Sequence, residues 1–151
     1  MYKMLKGGGP GEIKGYQYPV TKYELEKAVD SVLKKNVNIR RDTVDNYITE
    51  IDSNKNEIRL EDNYYNNGIS TLIINIKKDS VVYNYFIRYY GDSASWDTTN
   101  EVVLGITYVN GYSEGKNKPS PELKKKFTNI FESEFINKVD QQVGKSHIEP
   151  E

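Results

Sequence analysis

The sequence predicts an α+β domain in which an antiparallel sheet of about four to five strands carries an N-terminal and a C-terminal helix on one face. Three observations lead to this class. A helical stripe of apolar residues stands near each end of the chain, and the middle alternates apolar and polar residues at the period of a strand. The connections between the strands are short, which favours antiparallel neighbours. Packing both helical stripes on the aliphatic face of the sheet would bury all three apolar surfaces together.

The chain has 151 residues, a length that suits one compact domain. Residues 1–18 include the run GGGPG and are predicted to be a flexible Gly-rich tether. This run is not a phosphate-binding loop, because no Lys-Ser or Lys-Thr pair follows it. The single α+β domain is expected over 19–140, and residues 141–151 are expected to form a flexible C-terminal tail.

Both helices have clear starting signals. Thr21 and Glu24 have the spacing of a capping box, and Ser120 followed by Pro121 suits the N-cap and first position of the last helix. The last helix is expected to end near Asp140. The two apolar stripes are Leu25, Val29, Val32 and Leu33 in the first helix, and Leu123, Phe127, Ile130, Phe131 and Phe135 in the last.

Three strands are predicted over residues 69–78, 81–90 and 101–111, where apolar side chains alternate. On each strand one set of residues should share a face. These sets are Leu72, Ile74 and Ile76; Tyr83, Tyr85, Ile87 and Tyr89; and Val102, Leu104, Ile106 and Tyr108.

The segment 37–68 leaves two interpretations open. Alternation over about 47–60 around the turn-rich DSNKN favours a hairpin, while a short helix around 40–48 is the alternative. Asn67-Gly68 suits a tight turn. The stretch DSNKNE (52–57) resembles the start of a calcium loop, but Glu57 stands where such a loop needs glycine, and a hairpin turn explains the same residues.

The composition argues against several functions. The net charge is −1 and the lysines are interleaved with acids, which argues against nucleic-acid binding. The chain has no cysteine and a single histidine, His147, which excludes a zinc or thiolate site, so no metal or cofactor is expected. His147 lies in the predicted tail and is expected to be an ordinary surface residue. With this catalytic inventory we expect a protein that is not an enzyme.

Two groups of residues are candidates for binding. Tyr83, Tyr85 and Tyr89 alternate on one strand and could form an exposed aromatic surface, since tyrosine is enriched in binding patches. Asp92, Trp96 and Asp97 combine acids with an aromatic ring, as sugar-binding sites do. A lone tryptophan is more often a core anchor, however. We therefore predict that Trp96 is mostly buried and that Asp92 begins a turn after the strand.

The segments PVTKYELEKAVDSVL (19–33) and FIRYYGDSASWDTT (86–99) carry a resemblance. With its Gly-rich lead-in, its YPVTK start to the first helix and its RYYGD…W segment, the chain resembles small uncharacterised lipoproteins of the Bacteroidetes type, from about Tyr18 to Val109. The shared motifs are structural and imply no activity. The resemblance implies a lipidated N-terminal cysteine, which this chain does not contain, with residues 1–18 as the tether.

These observations favour a non-enzymatic cell-envelope domain that binds a protein or another envelope component. The resemblance implies anchoring to the outer membrane, facing the periplasm or the exterior. One alternative is a soluble, cytoplasmic inhibitor or immunity-type protein that binds a partner through the tyrosine face or the 91–100 loop. The other is a carbohydrate-binding domain. An exposed tyrosine patch would favour the inhibitor, and an open groove with an exposed Trp96 would favour the carbohydrate-binding domain.

Overall fold

The computed structural model describes residues 12–42, 47–51, 53–61, 70–115 and 117–150. The strands are β1 (Lys14–Tyr18), β2 (Ile39–Asp42), β3 (Tyr47–Ile51), β4 (Glu57–Glu61), β5 (Thr71–Lys78), β6 (Val81–Tyr89) and β7 (Val102–Val109). The helices are α1 (Lys22–Lys35), α2 (Ser93–Thr98), α3 (Pro121–Phe131) and α4 (Asn137–Val143), with a π-helical turn at Glu132–Ile136 between the last two. The predicted α+β class is confirmed.

Five strands form one sheet in the order β1-β7-β6-β5-β2, and every neighbouring pair is antiparallel. Strands β1 and β2 therefore lie at opposite edges. Strands β3 and β4 pair as a separate antiparallel hairpin, so the hairpin interpretation of that segment is confirmed. The predicted turn at Asn67-Gly68, the start of the predicted tether (1–11) and part of the alternative helix (43–46) lie outside the described residues.

The main core lies between the sheet and the helices. Phe131 of α3 is fully buried, with its ring centroid 4.8 Å from that of Tyr85 and 5.7 Å from that of Tyr16. From α1, Leu25, Val29 and Val32 join the same core, and this helix packs against α4 and β2. The capping box of Thr21 and the N-cap of Ser120 form as the sequence predicts.

The prediction of a tether over all of residues 1–18 is wrong for Lys14–Tyr18, which form the edge strand β1. Tyr16 and Tyr18 are completely buried, and Gly15 pairs with Gly105 of β7. The Gly-rich composition suggested flexibility, but the strand is stabilised by a partner some ninety residues away in the chain, which local composition does not reveal.

The prediction of a loose tail from residue 141 is also wrong for most of that segment. Helix α4 continues to Val143 and ends at Gly144, whose φ of 82° is the left-handed conformation that glycine adopts readily at a helix end. Gln17 and Ile148 then exchange backbone hydrogen bonds of 2.9 and 2.8 Å. The segment after the helix is therefore attached to the outer edge of β1.

The alternation predicted for the last strand holds up to Ile106 and then changes. The register between β6 and β7 shifts, so that Ile87 pairs with Ile106 while Phe86 pairs with Tyr108. The extra residue is a β-bulge, which reverses the facing of the residues after it. As a result Tyr108 is partly exposed and Val109 is buried, so the prediction that Tyr108 shares a face with Val102, Leu104 and Ile106 is wrong.

Candidate functional site

The predicted tyrosine surface is not exposed. Tyr83, Tyr85 and Tyr89 are 7%, 0% and 1% exposed, and the Tyr85 hydroxyl donates a 2.8 Å hydrogen bond to the carbonyl oxygen of Phe127. The alternation correctly placed these side chains on one face, but the helices cover that face. The expectation of a binding patch at these tyrosines is therefore wrong, and of its two proposed surfaces the inhibitor hypothesis keeps only the 91–100 loop.

The acidic loop around Trp96 is the corner that the sequence predicts. Trp96 is 6% exposed, and its Nε1–H donates to the carbonyl oxygen of Tyr90 at 3.0 Å. Asp92 is the N-cap of α2 and accepts from the amide of Ser95 at 2.9 Å. Exposed Asp97 accepts from the hydroxyl of Tyr23 at 2.9 Å. The buried Trp96 is confirmed, and it offers no aromatic platform to a sugar.

Trp96 helps to enclose a buried lysine. The Nζ of Lys22, a side chain only 3% exposed, lies 4.8 Å from the ring centroid of Trp96, 5.1 Å from that of Tyr89 and 5.6 Å from that of Tyr23. Glu26 accepts from the same Nζ at 3.1 Å. A lysine in the first turn of an amphipathic helix is usually exposed, so the sequence carried no signal for this site. Because Lys22 fills the aromatic enclosure, we assign it a structural role.

A polar cluster joins β1 to the C-terminal helices. We call it the edge cluster, and its members are Lys14, Tyr16, Tyr18, Glu132, Asp140 and His147. Glu132 Oε2 accepts from Lys14 Nζ at 2.7 Å and from the Tyr16 hydroxyl at 2.8 Å. Asp140 Oδ1 accepts from the Tyr18 hydroxyl at 2.7 Å, and Asp140 Oδ2 lies 2.8 Å from His147 Nδ1. The interpretation of His147 as an ordinary surface residue is wrong, because its ring also packs edge-on against Tyr16.

The π-helical turn positions this cluster. A π turn adds one residue to the helix, which changes the facing of everything after it. Phe131, Phe135 and Ile136 are all completely buried, while the carboxylate of Glu132 reaches β1. The sequence predicted one uninterrupted helix, since apolar periodicity does not reveal a single extra residue in a turn.

Burial and hydrogen bonding within the edge cluster shift the pKa values of three of its members, Tyr16, Tyr18 and Glu132. Burial, followed by the hydrogen bonds to Glu132 and Asp140, raises the pKa of Tyr16 and Tyr18. Burial opposes ionisation of Glu132, but hydrogen bonds from Lys14 and Tyr16 outweigh it and lower the pKa of Glu132. The Glu132 carboxylate is thus a charged acceptor, and the hydroxyls of Tyr16 and Tyr18 remain protonated donors.

The edge cluster can be compared with a catalytic centre. A histidine oriented by a carboxylate is half of the arrangement that activates a nucleophile. Here the hydroxyls of Tyr16 and Tyr18, whose rings contact His147, already donate to carboxylates and are not available as nucleophiles. The arrangement is better explained as a clamp that holds the C-terminal segment against the edge strand.

A second unusual carboxyl group is that of Glu12. It lies over the cross-strand pair Gly15 and Gly105, where a Cβ on Gly105 would come within 2.5 Å of Glu12 Oε1 and of the Tyr90 ring. Burial raises the pKa of Glu12 to about 7, and the opposing effects of Tyr90 and Lys124 do not offset it. Among the described residues, Glu12 Oε1 has no hydrogen-bond partner.

Replacing Glu12 by glutamine should stabilise the protein at pH 8. Because the pKa is raised from 4.5 to about 7, the folded state holds the proton more tightly than the unfolded state. The contribution of Glu12 to stability is therefore fully present below its unfolded pKa of 4.5 and is lost as the pH rises through its folded pKa of about 7. Allowing for partial exposure, we expect Glu12→Gln to raise the free energy of unfolding by about 1 kcal/mol at pH 8 and to leave it nearly unchanged at pH 4.5.

Urea denaturation at both pH values measures this difference. The matched control is Glu57→Gln, at an exposed position in β4, which should have the same effect at both pH values. A Glu12→Gln protein that is no more stable than wild type at pH 8 would contradict the assignment.

A small apolar groove lies near the other edge of the sheet, where β2 pairs with β5. We call it the valine groove; it is about 250 Å³ in volume and is lined by Val37, Asn38, Arg40, Asn75, Lys77 and Val82. Val37 is fully exposed and Val82 is 49% exposed. Two clefts beside α4, of about 390 and 370 Å³, are larger, but most of their exposed lining surface is polar, whereas most of that of the valine groove is apolar. Exposed aliphatic side chains that face one groove are more typical of an interaction site than either cleft.

Comparisons with known proteins add no assignment. No family model, no curated protein and no solved structure matches this chain. Within the part of the chain that the structure describes, no group of three or more His, Cys, Asp or Glu side chains could hold a metal ion. None of the described helices combines the length and the apolar character needed to cross a membrane.

Proposed function

We propose that this chain is a non-enzymatic binding domain of the cell envelope and that it binds a protein partner through the valine groove. The observation that carries the binding role is the pair of exposed aliphatic side chains, Val37 and Val82, that line one groove. Single exposed apolar residues are common on protein surfaces, whereas apolar residues grouped around a concave feature are typical of contacts with a partner.

The topology is compatible with an N-terminal anchor. Strand β1, which follows the N-terminal segment, lies at one edge of the sheet, and β2, which borders the valine groove, lies at the other. Four strand spacings of about 4.8 Å separate these edges by about 19 Å. A point of attachment directly before β1 would thus lie at the edge of the sheet opposite to the groove. The envelope location itself rests on the lipoprotein resemblance of residues 19–33 and 86–99.

In-cell photo-cross-linking tests this proposal. A photoreactive phenylalanine analogue at position 82 should give one adduct of defined mass in the envelope fraction of the cells that make the protein. The same analogue at exposed Lys125 of α3 should not. Intact-mass and fatty-acid analysis of the same preparation should find an acylated cysteine before the chain. The purified partner should bind the wild-type protein. Its affinity for the Val82→Asp variant should be lower by at least about tenfold, as expected when a central contact is lost.

Three results would contradict the proposal. The first is an unmodified N-terminus in the cytosolic fraction, which would move the protein away from the envelope. The second is equal adduct formation from both positions, and the third is undiminished binding of the partner by Val82→Asp. Either of these would show that the groove is not the binding surface.

A further inference from the structure

The charges around the valine groove indicate what kind of partner it accepts. Arg40 of β2 and Lys77 of β5 both line the groove and are both exposed. Arg40 pairs with Asn75, two residues before Lys77, so the two cations are diagonal neighbours on one face of the sheet. Such neighbours lie roughly 7–8 Å apart. Their charges therefore act together at the rim.

These two cations have no counter-charge of their own among the described residues. The adjacent Lys78 differs, because its Nζ is bound at 3.2 Å to Glu134, which also accepts from Asn38 of the groove at 3.0 Å. Asp79 is exposed in the turn that follows, but it does not line the groove. Among the described residues that line the groove, Arg40 and Lys77 are thus the charged ones, on a protein whose net charge is −1.

The side-chain amide nitrogens of the two asparagines in the floor already donate hydrogen bonds. Asn75 Nδ2 donates to Asn84 Oδ1 at 2.5 Å, and Asn38 Nδ2 donates to Glu134 Oε1 at 3.0 Å. A ligand would therefore be recognised by apolar contact with Val37 and Val82 and by charge at the rim, with little hydrogen bonding to the floor.

The size of the groove favours a protein segment. Sites for drug-sized molecules have volumes of roughly 300–1,000 Å³, which exceeds this groove, whereas a single aliphatic side chain fits it. Recognition of an anionic lipid surface typically uses clusters of about 4–8 Lys or Arg residues, whereas two of the described residues that line this groove are Lys or Arg. Resting on the proposed function, we infer that the occupant is an acidic protein segment that places one aliphatic side chain between Val37 and Val82.

Titration with short peptides tests this inference, read out by the methyl resonances of Val37 and Val82. The probe is Ac-EELEE-NH₂, with Ac-KKLKK-NH₂ and Ac-EEAEE-NH₂ as controls. We expect the acidic leucine peptide to shift both methyl signals in a saturable manner and to bind more weakly as the salt concentration is raised. The lysine peptide should cause no shift, and the alanine peptide should bind more weakly than the leucine peptide.

Charge-reversed variants supply the specific control. The double change Arg40→Glu and Lys77→Glu should weaken binding of the acidic peptide by about tenfold or more, as expected when rim charges are reversed. The double change Lys27→Glu and Lys125→Glu alters the net charge equally at exposed positions away from the groove and should leave binding unchanged. Amide spectra of both variants establish that they remain folded.

Several outcomes would overturn the inference. The first is that the lysine peptide binds as well as the acidic peptide, and the second is that the Arg40→Glu, Lys77→Glu variant binds the acidic peptide as well as wild type does. The third is that wild type and the Lys27→Glu, Lys125→Glu variant bind phosphatidylserine vesicles while the Arg40→Glu, Lys77→Glu variant does not. If cross-linking from position 82 persists in that variant, the proposed binding role stands and only the acidic character of the partner is wrong. If cross-linking from position 82 is absent in wild type, the proposed function itself fails.

Discussion

Replacing Trp96 by alanine is expected to lower the free energy of unfolding by about 3–5 kcal/mol, the range for removing a large buried aromatic ring. The indole is 6% exposed and donates to the Tyr90 carbonyl oxygen at 3.0 Å. Its loss would also remove the nearest ring from the buried ammonium group of Lys22, 4.8 Å away. The protein should therefore lose packing, one hydrogen bond and a cation–π contact at once.

Urea denaturation followed by far-UV circular dichroism measures this effect, since the variant lacks the only tryptophan. Trp96→Phe is the matched control and should retain much of the stability, because a ring still faces Lys22. In the wild-type protein, iodide should quench the fluorescence of Trp96 far less than that of free tryptophan. A Trp96→Ala protein within about 1 kcal/mol of wild type would show that this corner is not part of the core.

Replacing Glu132 by alanine is expected to cost about 2–3 kcal/mol, since hydrogen bonds to a charged group are worth about 1.5–3 kcal/mol and a buried donor would be left unpaired. Tyr16, which donates to Glu132 at 2.8 Å, is completely buried. Lys14 would lose its 2.7 Å contact with the same oxygen. The variant should therefore loosen the attachment of β1 to the C-terminal helices.

The pH dependence gives this prediction a second readout. The pKa of Glu132 is lowered in the folded state, so its stabilisation is present above the unfolded pKa and is lost as the pH falls through the folded pKa. The difference between wild type and Glu132→Ala should accordingly shrink in acid. A double-mutant cycle with Tyr16→Phe should show less than additive losses. Additive losses, or a difference that does not change with pH, would argue against the hydrogen bond as the cause.

The edge cluster shows why part of this protein could not be predicted from its sequence. Tyr16 and Glu132 are separated by 116 residues, and neither has a local pattern that marks it as part of a site. The polar neighbours of His147 in the chain indicate a surface residue, whereas its environment is set by Asp140 and by the strand β1. Contacts of this kind depend on how elements pack, which chain-local patterns do not specify.

The candidate binding surface illustrates the same point in another way. The sequence identified Tyr83, Tyr85 and Tyr89 as one face of a strand, but not that the helices would cover it. It gave no reason to consider Val37 or Val82, because isolated valines are ordinary on strands and turns. They line a shared groove only because β2 pairs with β5, which in turn pairs with β6.

What the sequence determined by itself is the set of features with local causes. The capping box at Thr21, the N-cap at Ser120 and the alternation in β5 and β6 follow from residues a few positions apart, and the burial of Trp96 follows from the general tendency of a lone tryptophan to lie in the core. The tertiary structure alone decided the strand β1, the clamp around His147, the bulge in β7 and the valine groove. Each of these depends on pairing between distant segments, whose free energy comes from long-range burial and hydrogen bonding and leaves little trace in local patterns.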